Sequence, residues 1–196
     1  MGRLLLVRHA QASFLSQNYD QLSSRGETQA RLLGEYWAQR KIVFDRACTG
    51  PAIRHQRTAQ IVREAYQRIG LDFPALDVLG KFDEFQGEAV LAQSLPQLLA
   101  DNGKIRELHD AMQNASGETG KRASFQRMFE AVISLWVNGE IAPENVESWQ
   151  EFCARVDCGL SDFLAASSKG EVSVIFTSGG PLSVAVRRAL HLSTQD

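Results

Sequence analysis

Leu4-Leu5-Leu6-Val7-Arg8-His9-Ala10 is the stretch on which the reading of the fold turns. Four aliphatic residues in succession read as a short strand buried on both faces. The run ends at an arginine and a histidine, which sets a fixed cation beside a titratable imidazole at the lip of a sheet. In open α/β folds, ligands bind at that lip, outside the carboxyl ends of the strands. A guanidinium suits phosphate oxygens, and neutral imidazole can attack phosphorus. The competing reading is a strand end carrying two solvated polar side chains.

Working outward, Gln11 to Ser24 is a polar loop over the mouth of the site, with Asn18, Asp20 and several serines. A helix follows over Arg25 to Arg40, its apolar stripe marked by Ala30, Leu33 and Trp37 and its start capped by Ser23 or Ser24. Ile42 to Thr49 reads as a second strand, broken by Gly50-Pro51. The next helix reaches about Gly70, with Ile53, Ile61, Val62, Ala65 and Ile69 at helical spacing. Phe73 to Leu79 is a third, less regular strand.

Glu88 to Asn138 reads as helical material interrupted by a loop over Asn114 to Gly120. Beyond Pro143, Val146, Trp149, Cys153, Val156 and Leu160 trace another buried helical stripe. Glu171 to Thr177 is the last strand. It turns through Ser178-Gly179-Gly180-Pro181 into a helix from Leu182 to about His191. Strands alternating with helices imply crossover units and a mainly parallel sheet. The expectation is a three-layer α/β sandwich, helices on both faces, as one domain over 1–196 with a helical insertion at about 88–138. That insertion reads either as a lid and substrate-selecting wall or as plain extra core.

Composition sets bounds on function. The chain has 196 residues, is 44% hydrophobic and 22% charged, and carries a net charge of −2. Without a basic field, duplex nucleic acid is not an expected partner. No apolar run approaches the roughly 20 residues that cross a bilayer, and the first strand is too short for a signal peptide. Three cysteines, Cys48, Cys153 and Cys158, make no even disulfide framework and read as buried or partly buried free thiols of a cytoplasmic protein. Four scattered histidines do not suggest a metal site.

Several segments together resemble the histidine phosphatase (phosphoglycerate mutase-like) superfamily. Arg8-His9-Ala10 is similar to its Arg-His-Gly signature, with alanine in the glycine's place. Leu22-Ser23-Ser24-Arg25-Gly26-Glu27-Thr28-Gln29-Ala30 resembles its Leu-(Ser/Thr)-x-x-Gly-x-x-Gln-Ala segment. Thr49 to Ala59 resembles Ser-x-x-x-x-Arg-x-x-x-Thr-Ala, which puts Arg54 in a phosphate pocket. Phe82-Asp83-Glu84-Phe85-Gln86-Gly87 is similar to the segment bearing the acidic residue, so Glu84 is the expected proton donor, with Asp83 as the competing choice. Glu147-Ser148 through Arg155-Val156 resembles a structural helix. Phe176-Thr177-Ser178-Gly179-Gly180 falls where a second histidine is usual, and Ser178 stands in its place.

The resemblance implies a phosphohydrolase that forms a phosphohistidine. His9 would attack phosphorus while Arg8 and Arg54 hold the oxygens, Glu84 protonates the leaving group, and Ser178 adds a hydroxyl donor. An acid in that role needs a raised pKa, which Phe82 and Phe85 could supply as apolar neighbours. Gly179 and Gly180 would turn their N–H groups toward the anion, and Gln11 and Ser13 lie within reach of it. Arg57 reads as a rim or surface residue, and His55 as an ordinary helix-surface histidine. No metal or other cofactor is implied, since the arginines supply the positive charge. The partner would be a small phosphorylated molecule; the oligomeric state is open, a dimer being one option. Ser178 and Ala10 keep open a catalytically reduced phosphate-binding or scaffold protein on the same fold; a mutase is a further alternative, set behind a phosphatase because nothing in the sequence shows the closure against water that a mutase needs. The superfamily usually continues past the last helix with a further strand, whereas this chain ends at Asp196.

Overall fold

The opening aliphatic run forms β1, Arg3–Arg8, in a computed structural model that describes residues 2–13 and 20–192. Strands β2 (Arg46–Thr49), β3 (Leu76–Val78) and β4 (Val172–Thr177) complete a four-stranded sheet in the order β1-β4-β2-β3. Every pairing is parallel, with Arg8 level with Thr177 and Thr49 level with both Phe176 and Val78. Parallel neighbours need long crossovers, and helices supply them. Helix α1 (Ser24–Gln39) precedes β2 and α2 (Ile53–Gln67) precedes β3. Helices α3 (Gly87–Asp101), α4 (Gly103–Gln113), α5 (Gly117–Val137) and α6 (Trp149–Ala165) come before β4, and α7 (Gly179–Leu190) follows it.

The chain forms two compact units, one from the described residues of Met1–Glu84 and Ala154–Thr194, the other from Phe85–Cys153. The first holds the sheet. Side chains alternate between its faces, and Ala47, Val174 and Phe176 pack with Trp37 of α1 and Val62 and Tyr66 of α2. Arg46, one residue before Ala47, points the other way. Its guanidinium donates to the Phe163 carbonyl of α6 at 3.2 Å and lies 4.1 Å from the Phe163 ring centroid. Helices therefore cover both faces of a parallel sheet, the three-layer α/β arrangement.

Several local expectations change, the third strand among them, which covers Leu76–Val78 rather than Phe73 to Leu79. β1 is only half-buried, because it pairs with β4 alone among the described strands and has no second neighbour to cover it. Ile42 to Asp45 is not strand; Phe44 is buried there by ring packing against Trp37 at 5.1 Å. The ends of the stripe expected for α2 lie outside its core, with Ile53 52% and Ile69 56% exposed. Helix α7 begins at Gly179 rather than Leu182, taking in the glycine pair as its first turn.

In the second unit, Val90 and Leu98 of α3, Ile105 of α4 and Met128, Val132 and Trp136 of α5 are buried. Phe85 stacks on Trp136 at 5.2 Å, and the Trp136 indole donates to the Glu147 carbonyl at 3.1 Å. The loop expected to Gly120 is shorter, because α5 starts at Gly117, whose φ of 70° suits glycine at the turn. Asn18 of the expected mouth loop and the terminal Asp196 lie outside the described residues.

Candidate active site

His9 follows β1 directly, and its N–H donates to the Thr177 carbonyl at 2.7 Å, which holds it to the end of β4. The Thr177 hydroxyl donates to the Phe82 carbonyl at 2.6 Å. One residue thus ties the histidine and the segment leading to Glu84 to a single strand end. His9 Nδ1 lies 2.7 Å from the Ala10 carbonyl. A carbonyl only accepts, so the ring proton sits on Nδ1 and the lone pair on Nε2. Burial is the main influence pulling the His9 pKa down to about 4; the Ala10 carbonyl opposes it, and the Arg54 and Arg8 guanidiniums lower it further. At neutral pH the ring is uncharged.

Arg54 stands in the first turn of α2. Its Nη1 donates to the Asp20 carboxylate at 2.6 Å and its Nη2 to the Ser178 hydroxyl oxygen at 3.4 Å. Asp20 also accepts the Ile53 N–H at 2.8 Å and the Arg54 N–H at 3.4 Å. Unpaired N–H groups and the helix dipole make such a helix start attractive to an anion. Burial pushes the Asp20 pKa up, but the two N–H groups and the guanidinium outweigh it and hold the carboxyl below its ordinary range. Behind Arg54, the Thr58 hydroxyl donates to the Arg54 carbonyl at 2.7 Å and accepts the Ala10 N–H at 3.1 Å. The end of β1 and the first turns of α2 are thereby joined.

His55 corrects the expectation of a surface residue: it is 0% exposed. Its Nε2 is hydrogen-bonded to the Ser178 hydroxyl, and its ring centroid is 5.6 Å from that of His9. Burial first, then Arg54 and His9, bring its pKa down to about 3. Gly50 makes room for this ring, since a Cβ there would come within 2.5 Å of both His55 Nδ1 and the Phe82 carbonyl oxygen. Ser178 occupies the N-cap position of α7, yet its side chain caps nothing. Serine at that position ordinarily accepts a helix N–H. Here the hydroxyl is held by Arg54 and His55 instead.

The remaining expected residues divide. The exposed Arg8 places its Nε and Cζ 3.9 Å from where a Gly179 Cβ would stand. Glu84 accepts the Gly180 N–H at 3.2 Å, so that donor faces a carboxylate of the chain. Asp83 is engaged locally, accepting the Glu84 N–H at 2.9 Å. Of its two expected apolar neighbours, Phe82 is fully buried, while Phe85 packs within the second unit. Gln11 is occupied with the start of α1: its side-chain carbonyl accepts from Ser23 at 3.2 Å, and Ser23 caps Gly26 at 3.0 Å. Ser13 donates its N–H to Gln21 at 2.8 Å. Arg57 is a surface residue, paired with Glu27 and Glu64, each at 3.2 Å.

Two members of the cluster were not anticipated. Asp20 is the one acid of the polar loop Gln11 to Ser24, but nothing in the residue pattern pairs it with Arg54. His55 did leave a signal: it falls four residues before Ala59 and seven before Val62, on the stripe that α2 buries. A cavity of about 430 Å³ beside Arg46, Leu79 and Phe163 is lined by Phe82 but by none of His9, Asp20, Arg54, His55 or Ser178.

These contacts define an α/β protein with two histidines, two arginines and a hydroxyl gathered where parallel strands end. The family model of the histidine phosphatase superfamily (branch 1) matches residues 4–88, from β1 through β3. The solved structures similar to the chain share its fold. A putative α-ribazole-5′-P phosphatase from Escherichia coli K-12 superposes with a TM-score of 0.61 at 16% identity, covering 98% of this chain and 81% of the other. A mycobacterial glucosyl-3-phosphoglycerate phosphatase gives 0.58 at 19% identity, with the same two coverages of 98% and 81%. A phosphoglycerate mutase from Bacillus anthracis gives 0.56 at 16% identity, covering 94% and 78%. Among curated proteins a sequence search finds no match. No helix among the described residues is long and apolar enough to cross a membrane. Cys48 and Cys153 are buried free thiols, and Cys158 is an exposed one.

Proposed function

We propose that the chain is a phosphohydrolase acting on a phosphomonoester through a phosphohistidine formed on His9. The observation that carries this reading is the state of that ring: uncharged, its Nδ1–H given to the Ala10 carbonyl, and its lone pair on Nε2 in the field of Arg54 and Arg8. In the first step Nε2 attacks phosphorus and the bond to the leaving oxygen breaks. Glu84, as the acid, gives that oxygen a proton. In the second, the Glu84 carboxylate takes a proton from water, the hydroxide oxygen attacks phosphorus, and the P–N bond breaks to return the lone pair to His9. Arg8 and Arg54 balance charge on the phosphoryl oxygens, and Ser178 donates a hydroxyl. Hydrolysis is preferred to mutase chemistry because two of the three structures cited are named phosphatases.

A second reading, a phosphate-binding protein with little turnover, draws on Asp20, which already supplies an anion to Arg54 and the start of α2. The two separate on one experiment with p-nitrophenyl phosphate. Turnover abolished by His9→Ala, with acid-labile, alkali-stable phosphate on native His9 after brief mixing, is the outcome for an enzyme. Equal rates for native and His9→Ala protein would end the phosphohistidine reading.

A further inference from the structure

We propose that His55 is the positioning residue for Ser178, orienting its hydroxyl so that its proton points at a phosphoryl oxygen. The proposal deepens the phosphohydrolase reading and rests on it for the identity of the anion. A hydroxyl has two lone pairs and one proton. Arg54 Nη2 can only donate, so it takes one lone pair of Ser178 Oγ. His55 Nε2 either donates to the second lone pair or accepts the proton.

The other ring nitrogen decides between these. Nδ1 of His55 is buried with no hydrogen-bond partner among the described residues. If Nδ1 carried the proton, a buried N–H would be orphaned. If Nε2 carries it, Nδ1 is a bare acceptor, and unsatisfied acceptors are tolerated more readily than orphaned donors. The proton therefore sits on Nε2, and both lone pairs of Ser178 are filled by His55 and Arg54. The hydroxyl proton is left with one role, donation to whatever acceptor Arg54 holds. The empty N-cap of α7 fits this account, since capping would use the same lone pairs. His55 itself touches no substrate, and its effect passes entirely through Ser178.

That dependence makes a double-mutant cycle the test, read both as turnover of p-nitrophenyl phosphate and as the Kd for orthovanadate. Ser178→Ala is expected to lower kcat by a factor on the order of 10²–10³, as when one transition-state donor is removed. His55→Leu should fall at least tenfold with KM little changed, and adding it to Ser178→Ala should cost nothing more. In the binding arm, each single change should weaken orthovanadate by roughly ten- to a hundredfold, again without adding. His55→Gln keeps an N–H near the position of Nε2 and should recover most of what His55→Leu loses, which also controls for a leucine variant that folds poorly. Long-range nitrogen–proton NMR should find the His55 proton on Nε2.

Losses that multiply in the cycle, full activity and affinity in His55→Leu, or a proton on Nδ1 would each overturn the proposal. Native protein without His9-dependent turnover would overturn the phosphohydrolase reading instead, while the orthovanadate cycle would still decide the role of His55.

Discussion

The imidazoles of His9 and His55 lie 5.6 Å apart, their planes tilted by 37°, and neither carries a charge at neutral pH. Burial is the main reason in both cases, with the neighbouring cations adding to it. Two uncharged rings at this spacing avoid the repulsion that two imidazoliums would suffer beside Arg54.

Acid should therefore weaken the fold early. In the unfolded chain both rings take up protons near their ordinary pKa of 6.5, whereas in the folded protein they stay neutral down to about 4 and about 3. Between those values the unfolded state holds more protons, so stability rises with pH and is lost as pH falls from 6.5 toward 4. Urea midpoints measured from pH 7 to pH 5 should decline, and less steeply in His55→Leu. A flat profile for the native chain over that range would contradict the buried, neutral state of these rings.

Asp20→Asn keeps an acceptor for the N–H groups at the start of α2 but removes the negative charge beside Arg54. Orthophosphate should then bind roughly three- to tenfold more tightly, the gain shrinking at high salt. Isothermal titration at two ionic strengths measures this. Weaker binding would mean that Asp20 acts chiefly by holding Arg54 in its pose.

Gly50→Ala should destabilise the first unit. The added methyl would meet a buried ring nitrogen and a backbone oxygen, both at 2.5 Å, and neither is the far end of a flexible chain. Overpacking of this kind costs about 1–3 kcal/mol, read as a lower urea midpoint at unchanged slope.

Gly120→Ala should have the opposite sign. The residue lies inside α5, and among the described residues the only atom near its new Cβ would be the Ala115 Cβ at 4.0 Å. Removing glycine from a helix interior gains about 0.5–1 kcal/mol. Thermal unfolding would show it as a raised midpoint.

Residue pattern exposed the crossover architecture because parallel strands and amphipathic helices differ in period. The run ending at Arg8 and the Ser23 cap both fall where the chain uses them. The pattern failed where burial comes from something other than period. An all-aliphatic run looks alike at the edge and the centre of a sheet, so the half-buried state of β1 was hidden. Phe44 is buried by neighbouring rings in a non-repetitive segment, and its pattern is that of a strand. In the cluster, His55 was hidden by its own chemistry: a polar residue on a buried stripe reads as surface until its partner, Ser178, is known to be opposite. Asp20 depends on a loop meeting a helix start 33 residues away, a relation that no local pattern carries.

Thr177 has a consequence for how this region can change. Its carbonyl and hydroxyl clamp the backbones of His9 and Phe82 just before the chain reaches Ser178. The side chain at 178 can thus be exchanged while the neighbouring loops stay anchored one step upstream. Thr177→Val, nearly the same in shape, would cut one of those moorings and let the Phe82 segment drift from its anchorage, a displacement that no repair at position 178 could undo.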